Sequence, residues 1–217
     1  MMNFLRNKSF FNHLLFATVI FALGGSSGCR TAEKISDNTQ IKRSQPWIFS
    51  ADFKKAVYKT NMLIFGNELS GLTLIKKTGK DFRVVFMSEL GLKYFDLEFF
   101  AKNDSLKIHH MISFLDRKPV LDLLENNLKL IFMIFPNKTK EHFYQDPMTN
   151  NLVKEIKYKG NKSLYSYDKN FGRVNTIRNK KRGTNQVISL DGFDHQSPQT
   201  ININQRNLSL RLEMIEP

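Results

Sequence analysis

Few residues in this chain have the types and spacing to do chemistry. Cys29 is the one cysteine in 217 residues. It therefore has no internal disulfide partner and no companion thiols for a metal site. His109 and His110 are adjacent. On a strand their rings would point to opposite faces, one inward and one outward, which does not suit joint ligation of one metal. Asp96 and Glu98 would share one strand face and could form a general acid and base. They alternate with Phe95, Leu97 and Phe99, however, which makes a solvated outer face the simpler expectation. The chain has no Gly-rich phosphate loop, no Gly-x-Ser-x-Gly elbow and no His-Glu-x-x-His pair. The expectation is a protein that is not an enzyme and that uses no cofactor and no metal.

The surroundings of Cys29 indicate where the protein is placed. Arg6 and Lys8 precede an apolar run from Leu14 to Leu23, and Gly24-Gly25-Ser26-Ser27-Gly28 then leads into the cysteine. A charged start, a short apolar core and a small-residue exit describe a secretory signal peptide. The run is shorter than the roughly 20 residues that span a bilayer. Residues 1–28 are thus expected to be a signal peptide, and the polar, aperiodic residues 29–45 a flexible tether. One domain is expected over 46–217, starting at Pro46-Trp47-Ile48-Phe49. No later apolar run reaches spanning length, since Lys129 breaks the longest, Leu128 to Phe135.

Lysine and arginine outnumber acidic residues 33 to 20, for a net charge of +13, which falls to +11 without Arg6 and Lys8. Such a charge suits anionic lipid headgroups or acidic partners. Nucleic acid is not expected as a partner of an exported chain. The basic residues are scattered, and the one dense cluster, Asn179-Lys180-Lys181-Arg182, reads as a solvated loop.

From about residue 51 the apolar pattern has period two, the signature of half-buried strands. Leu72 and Leu74 alternate with Thr73 and Ile75. Phe82, Val84 and Phe86 alternate with Arg83, Val85 and Met87, and Leu106 and Ile108 with Lys107 and His109. Turn-like breaks fall at Asn67-Glu68, Thr78-Gly79-Lys80-Asp81, Leu90-Gly91 and Asn103-Asp104. The period then changes. Asp116 reads as a helix cap and Pro119 as a first-turn residue, with apolar positions from Val120 to Phe135 at three-to-four spacing. A helical insert is expected near 117–135, with Asn126-Asn127 as a point where it splits in two. Strands return after Pro136 and end with the clean alternation of Leu208, Leu210, Leu212 and Met214. The predicted fold is mainly β with inserted helices: an open, strongly curved antiparallel sheet, an incomplete barrel of about eleven strands, with a helical lid.

Two short stretches carry a resemblance. Ser27-Gly28-Cys29 resembles the lipobox of bacterial lipoproteins, although Ser26 stands where many carry leucine. The resemblance implies acylation of the Cys29 thiol, cleavage before it, and a membrane tether. The alternative is an ordinary signal peptide in which the cysteine is incidental. The order of lipobox, tether, strands, midway helices and more strands resembles the lipoprotein-localisation (LolA/LolB-like) fold of the periplasmic lipoprotein carrier and its outer-membrane receptor. Leu69-Ser70-Gly71-Leu72-Thr73-Leu74 is similar to that family's early glycine-containing strand, and Phe82-Arg83-Val84-Val85-Phe86 to its next strand. Glu89-Leu90-Gly91 falls where the receptor has a protruding Pro-Leu-Gly tip whose leucine enters the membrane. Leu90 is the membrane-contact residue this implies, the alternative being a core leucine at a strand end. The stretch "RVVFMSELGLKYFDLEF" also resembles lipoproteins of the Bacteroidota type.

A sheet with one apolar face must bury it against another layer. Either the sheet closes on its own Phe and Leu side chains, or it stays open and holds a guest. Under the second reading Leu72, Leu74, Val84, Phe86, Phe95, Leu97 and Phe99 line a ligand-binding cavity. The protein would then be a lipid-anchored, periplasm-facing outer-membrane monomer. It would bind acyl chains, receive or localise lipoproteins, and have a periplasmic lipoprotein carrier as a partner. Under the first it is a non-catalytic structural or interaction module of the envelope with a solid barrel.

Overall fold

The computed structural model describes residues 45–135, 139–158, 160–168, 170–181 and 184–216. The expected signal peptide, Cys29, Arg182 and the tether up to residue 44 lie outside the described residues. The described residues fall within one compact unit. Twelve strands follow the chain: β1 (Lys55–Ile64), β2 (Asn67–Thr78), β3 (Asp81–Met87), β4 (Lys93–Phe100), β5 (Ser105–Met111), then after a helix β6 (Lys140–Gln145), β7 (Leu152–Tyr158), β8 (Asn161–Tyr167), β9 (Val174–Lys181), β10 (Thr184–Phe193), β11 (Pro198–Gln205) and β12 (Leu208–Glu216). The helix, α1, is Lys118–Ile131.

All strands join one antiparallel sheet in the order β5-β4-β3-β2-β1-β12-β11-β10-β9-β8-β7-β6. It consists of two meanders sewn together where β12 pairs with β1, with Met62 opposite Leu210 and Ile64 opposite Leu208. The predicted class is the observed one, an open antiparallel sheet not closed into a barrel. The edge strands β5 and β6 do not pair, and the connection between them carries α1. Both edges bear exposed charged or imidazole side chains, Lys107, His109 and His110 on β5 and Lys140, Glu141 and His142 on β6. Such residues discourage pairing with another chain.

One helix serves both halves of the sheet. Phe132, at the C-terminus of α1, packs on Phe82 of β3 and Phe99 of β4. The Tyr165 hydroxyl of β8 donates to the Leu130 carbonyl at 3.0 Å. In a flat sheet β4 and β8 would stand about 38 Å apart, at roughly 4.8 Å per strand. A helix about 10–12 Å across cannot reach both. The sheet must therefore curl around α1.

The helix is continuous through Asn126-Asn127, where a split was expected. Asn127 is buried, and its amide donates to the Leu123 carbonyl and to Gln205 Oε1 while its carbonyl accepts from Gln186. These partners satisfy a polar side chain that would otherwise oppose burial. Arg117, not Asp116, occupies the N-cap, without a side-chain cap bond. At the other end the Met133 N–H donates to Leu130 O and the Ile134 N–H to Lys129 O, with Met133 at φ 53°. This is the bond pattern of a Schellman stop, with methionine in a place usually held by glycine.

A strap formed by residues 46–53 crosses the end of the sheet before β1. Trp47 bridges β9 through its N–H to Gly172 O and its carbonyl to Val174 N, and the Ser50 N–H donates to Gln196 O. Ile48, Phe49 and Phe53 are buried in the same core as the strands. Residues from 48 onward thus close their own core.

Candidate functional site

Each sequence-predicted lining residue can be placed on a face of the sheet. Val84, Phe86, Phe95, Leu97 and Phe99 lie on the inner face, and none exceeds 3 % exposure. They do so because alternation on β3 and β4 is regular and the pairs Val84–Leu97 and Phe86–Phe95 stand opposite each other. Leu72 and Leu74 are a correction. They are half-buried on the opposite face, with Leu74 beside Val57 and Val85. The inward phase of β2 is Gly71, Thr73 and Ile75. A threonine can face inward there because Thr60 Oγ1 donates to Thr73 Oγ1 at 2.7 Å, so two buried hydroxyls satisfy each other.

The room expected for a guest is occupied. The side chains of α1 fill it with Val120, Leu124, Leu128 and Ile131, and Phe132 completes the packing. None of the five main clefts is lined by Val84, Phe86, Phe95, Leu97 or Phe99. The clefts found are open ones at the surface. One, of about 280 Å³, runs between the strap and the segment after α1.

The β3–β4 turn, by contrast, offers exposed apolar surface. Leu90 is 97 % exposed and Leu92 62 %, so the alternative of a core leucine does not apply. The turn is a three-residue loop closed by Ser88 N–H to Leu92 O at 2.8 Å and Gly91 N–H to Ser88 O at 2.9 Å. The Ser88 hydroxyl accepts from the Leu92 N–H at 3.0 Å. Gly91 has φ 83°, a left-handed geometry that glycine adopts without strain. These bonds stiffen the tip. The β1–β2 turn lies at the same end of the meander and carries Phe65, 42 % exposed.

The polar candidates take structural roles. Asp96 was expected on a solvated face, but its side chain is 2 % exposed. Arg83 grips it through two bonds, Nε to Oδ1 at 2.8 Å and Nη2 to Oδ2 at 2.9 Å, and Lys93 Nζ adds a third at 3.0 Å. Burial alone would raise its pKa, but the Arg83 bonds, helped by Lys93, hold it down at about 2. That is below the usual carboxylate value of about 3.9, so the pair stabilises the fold fully above about pH 4 and loses this contribution as pH falls through about 2. Asp96→Asn is expected to lower stability at pH 7 by about 2 kcal/mol and to flatten the acid limb between those values. Urea unfolding of both proteins across pH 2 to 7 measures this.

Glu98 Oε2 meets His109 Nε2 at 2.7 Å, and His110 Nε2 lies 3.0 Å from Lys93 O. Neither residue is buried, where one inward and one outward were expected. A bulge explains it: the register shifts between Asp96 and Leu97, so Asp96 faces His110 while Leu97 faces Ile108. Among the described residues no three His, Cys, Asp or Glu side chains come together to hold a metal. No helix among them is long and apolar enough to cross a membrane.

Trp47, Lys77, Lys80 and Phe132, which border the cleft under the strap, escaped sequence reasoning as a group. The one available signal was the apolar run Pro46-Trp47-Ile48-Phe49 ahead of the first strand. No known family's sequence profile matches the chain, and no curated protein matches it.

Proposed function

We propose that this chain is a lipid-anchored outer-membrane protein, facing the periplasm, that engages the bilayer and the acyl chains of lipoproteins at its surface in lipoprotein reception or localisation. The observation that carries this reading is Leu90, almost wholly exposed beside Leu92 on a stiff loop. Folding gains nothing from two leucines held in water. Transferring them into a bilayer removes that apolar area at about 25 cal/mol per Å². The basic surface favours anionic headgroups, and Phe65 at the same end of the meander adds a second contact. The resemblance of Glu89-Leu90-Gly91 to a membrane-dipping hairpin tip supports the same assignment.

The test is co-sedimentation of residues 32–217 with vesicles containing anionic lipid. Leu90→Asp is expected to reduce the bound fraction about tenfold, as loss of a fully buried leucine implies. Its unfolding free energy should stay within about 0.5 kcal/mol of the parent, because the site is solvated. Equal binding by parent and variant would end the proposal.

The filled interior favours a second reading, a non-catalytic interaction module with a solid core. That reading predicts no vesicle binding by the parent domain at all.

A further inference from the structure

The strap and the segment leaving α1 border an open cleft whose wall is apolar except for two lysines. Ile48, Phe49, Phe82, Phe132 and Ile134 form its sides, and Lys77 and Lys80 come from the end of β2 and the turn after it. Its volume of about 280 Å³ lies just below the roughly 300–1,000 Å³ of small-molecule sites. That is room for one chain rather than two. The wall is built rather than incidental. The Trp47 indole donates to Phe171 O at 2.9 Å and packs edge-on against Phe193.

Among the described residues neither Lys77 nor Lys80 forms a salt bridge. Lys77 Nζ donates to the Ser50 carbonyl at 2.6 Å and lies 5.8 Å from the Phe82 ring centre. Burial pulls its pKa down against the charge of Asp52. A partly buried ammonium beside an apolar groove, with no carboxylate in salt-bridge contact, is suited to a ligand that supplies both an anion and a hydrocarbon chain.

We infer that this cleft binds a single acyl chain carrying an anionic head, a carboxylate or a phosphate, with the chain along the surface groove bordered by the strap and residues 131–134 and the head at Lys77 and Lys80. This rests on the reading of the protein as one that handles acyl chains, and adds where a chain lies and what head it bears.

Trp47 is the only tryptophan in the chain and lines the cleft, so its fluorescence reports occupancy. The domain 32–217 is titrated with brominated dodecanoate, with a brominated lysophosphatidic acid and with neutral brominated dodecanol. Saturable quenching by an anionic chain is expected, at least tenfold tighter than by the alcohol. Quenching by dodecanoate alone assigns a fatty acid, and tighter quenching by the phosphate assigns a lipid headgroup. Lys80→Glu, at a solvated turn, is expected to weaken the anionic ligand at least tenfold and leave the alcohol unchanged. Lys77→Met should act in the same direction. Absence of saturable quenching overturns the inference, as does equal affinity for charged and neutral chains or indifference to both substitutions. Should this happen while vesicle binding still depends on Leu90, the cleft assignment alone fails.

Discussion

Gly71→Ala is expected to destabilise the protein by more than about 3 kcal/mol. Gly71 lies in β2 opposite Thr60, on the buried face. A Cβ there would stand 2.0 Å from the Met87 carbonyl oxygen and 2.8 Å from Ser88 Cα. Both obstacles are backbone, so no rotamer change relieves the contact. The chain leaving β3 crosses the place where a side chain would project, as happens where glycine marks a close approach of two backbones. That crossing seats the turn bearing Leu90. Gly79→Ala is the control. It has φ 62° and nothing within 4 Å of its would-be Cβ. Only backbone strain remains there, about 1 kcal/mol. Urea unfolding separates the two cases, and equal losses would show that the close approach at Gly71 is not what the fold requires. In the fraction of Gly71→Ala that does fold, vesicle binding should fall with that of Leu90→Asp, because the loop has lost its seat.

The strand pattern was readable wherever one face is uniformly apolar. β12 shows this best, with Leu208, Leu210 and Leu212 buried and Ser209 and Arg211 exposed. It failed on β2, where the buried phase holds glycine and threonine and the half-exposed phase holds leucines. A pattern of side-chain types cannot show that Thr60 and Thr73 will satisfy each other, because that bond depends on a cross-strand register. It failed for the same reason at Asp96. That carboxylate is buried by partners that only the folded sheet brings to it, Arg83 from the facing strand and Lys93 three residues earlier. The histidine pair was misplaced because a bulge interrupts the alternation on which the expectation rested. The breadth of the apolar face was legible, but its cover was underestimated. One helix suffices because the sheet curls until both halves reach it. The cleft was hidden for a further reason: its walls come from residues 46–49, 77–82, 101 and 131–134, and no local period links them.

Phe132 is where those walls meet, and Phe132→Ala is expected to cost about 3–5 kcal/mol. Its ring stacks on Phe82 at 4.3 Å with the planes 7° apart, meets Phe99 edge-on at 5.4 Å, and lies 5.9 Å from Phe49. It therefore ties the end of α1 to β3, β4 and the strap at once. Removing it takes away the buried area of one aromatic and its ring contacts, each of which adds about 0.5–1.5 kcal/mol beyond burial. Neighbours on three different elements cannot all move into the space, so a hollow should remain and the cost should sit in the upper half of the range. Phe132→Leu keeps most of the volume and should lose no more than about half as much. The unfolding free energies of the two variants test this. Values below about 1 kcal/mol for alanine would mean that the ring is not the joint between helix, sheet and strap. The same substitution bears on the cleft, since Phe132 is one of its walls. In Phe132→Ala that remains folded, the enlarged slot should admit a longer brominated chain than the parent does, while the preference for a charged head, set by Lys77 and Lys80, should persist.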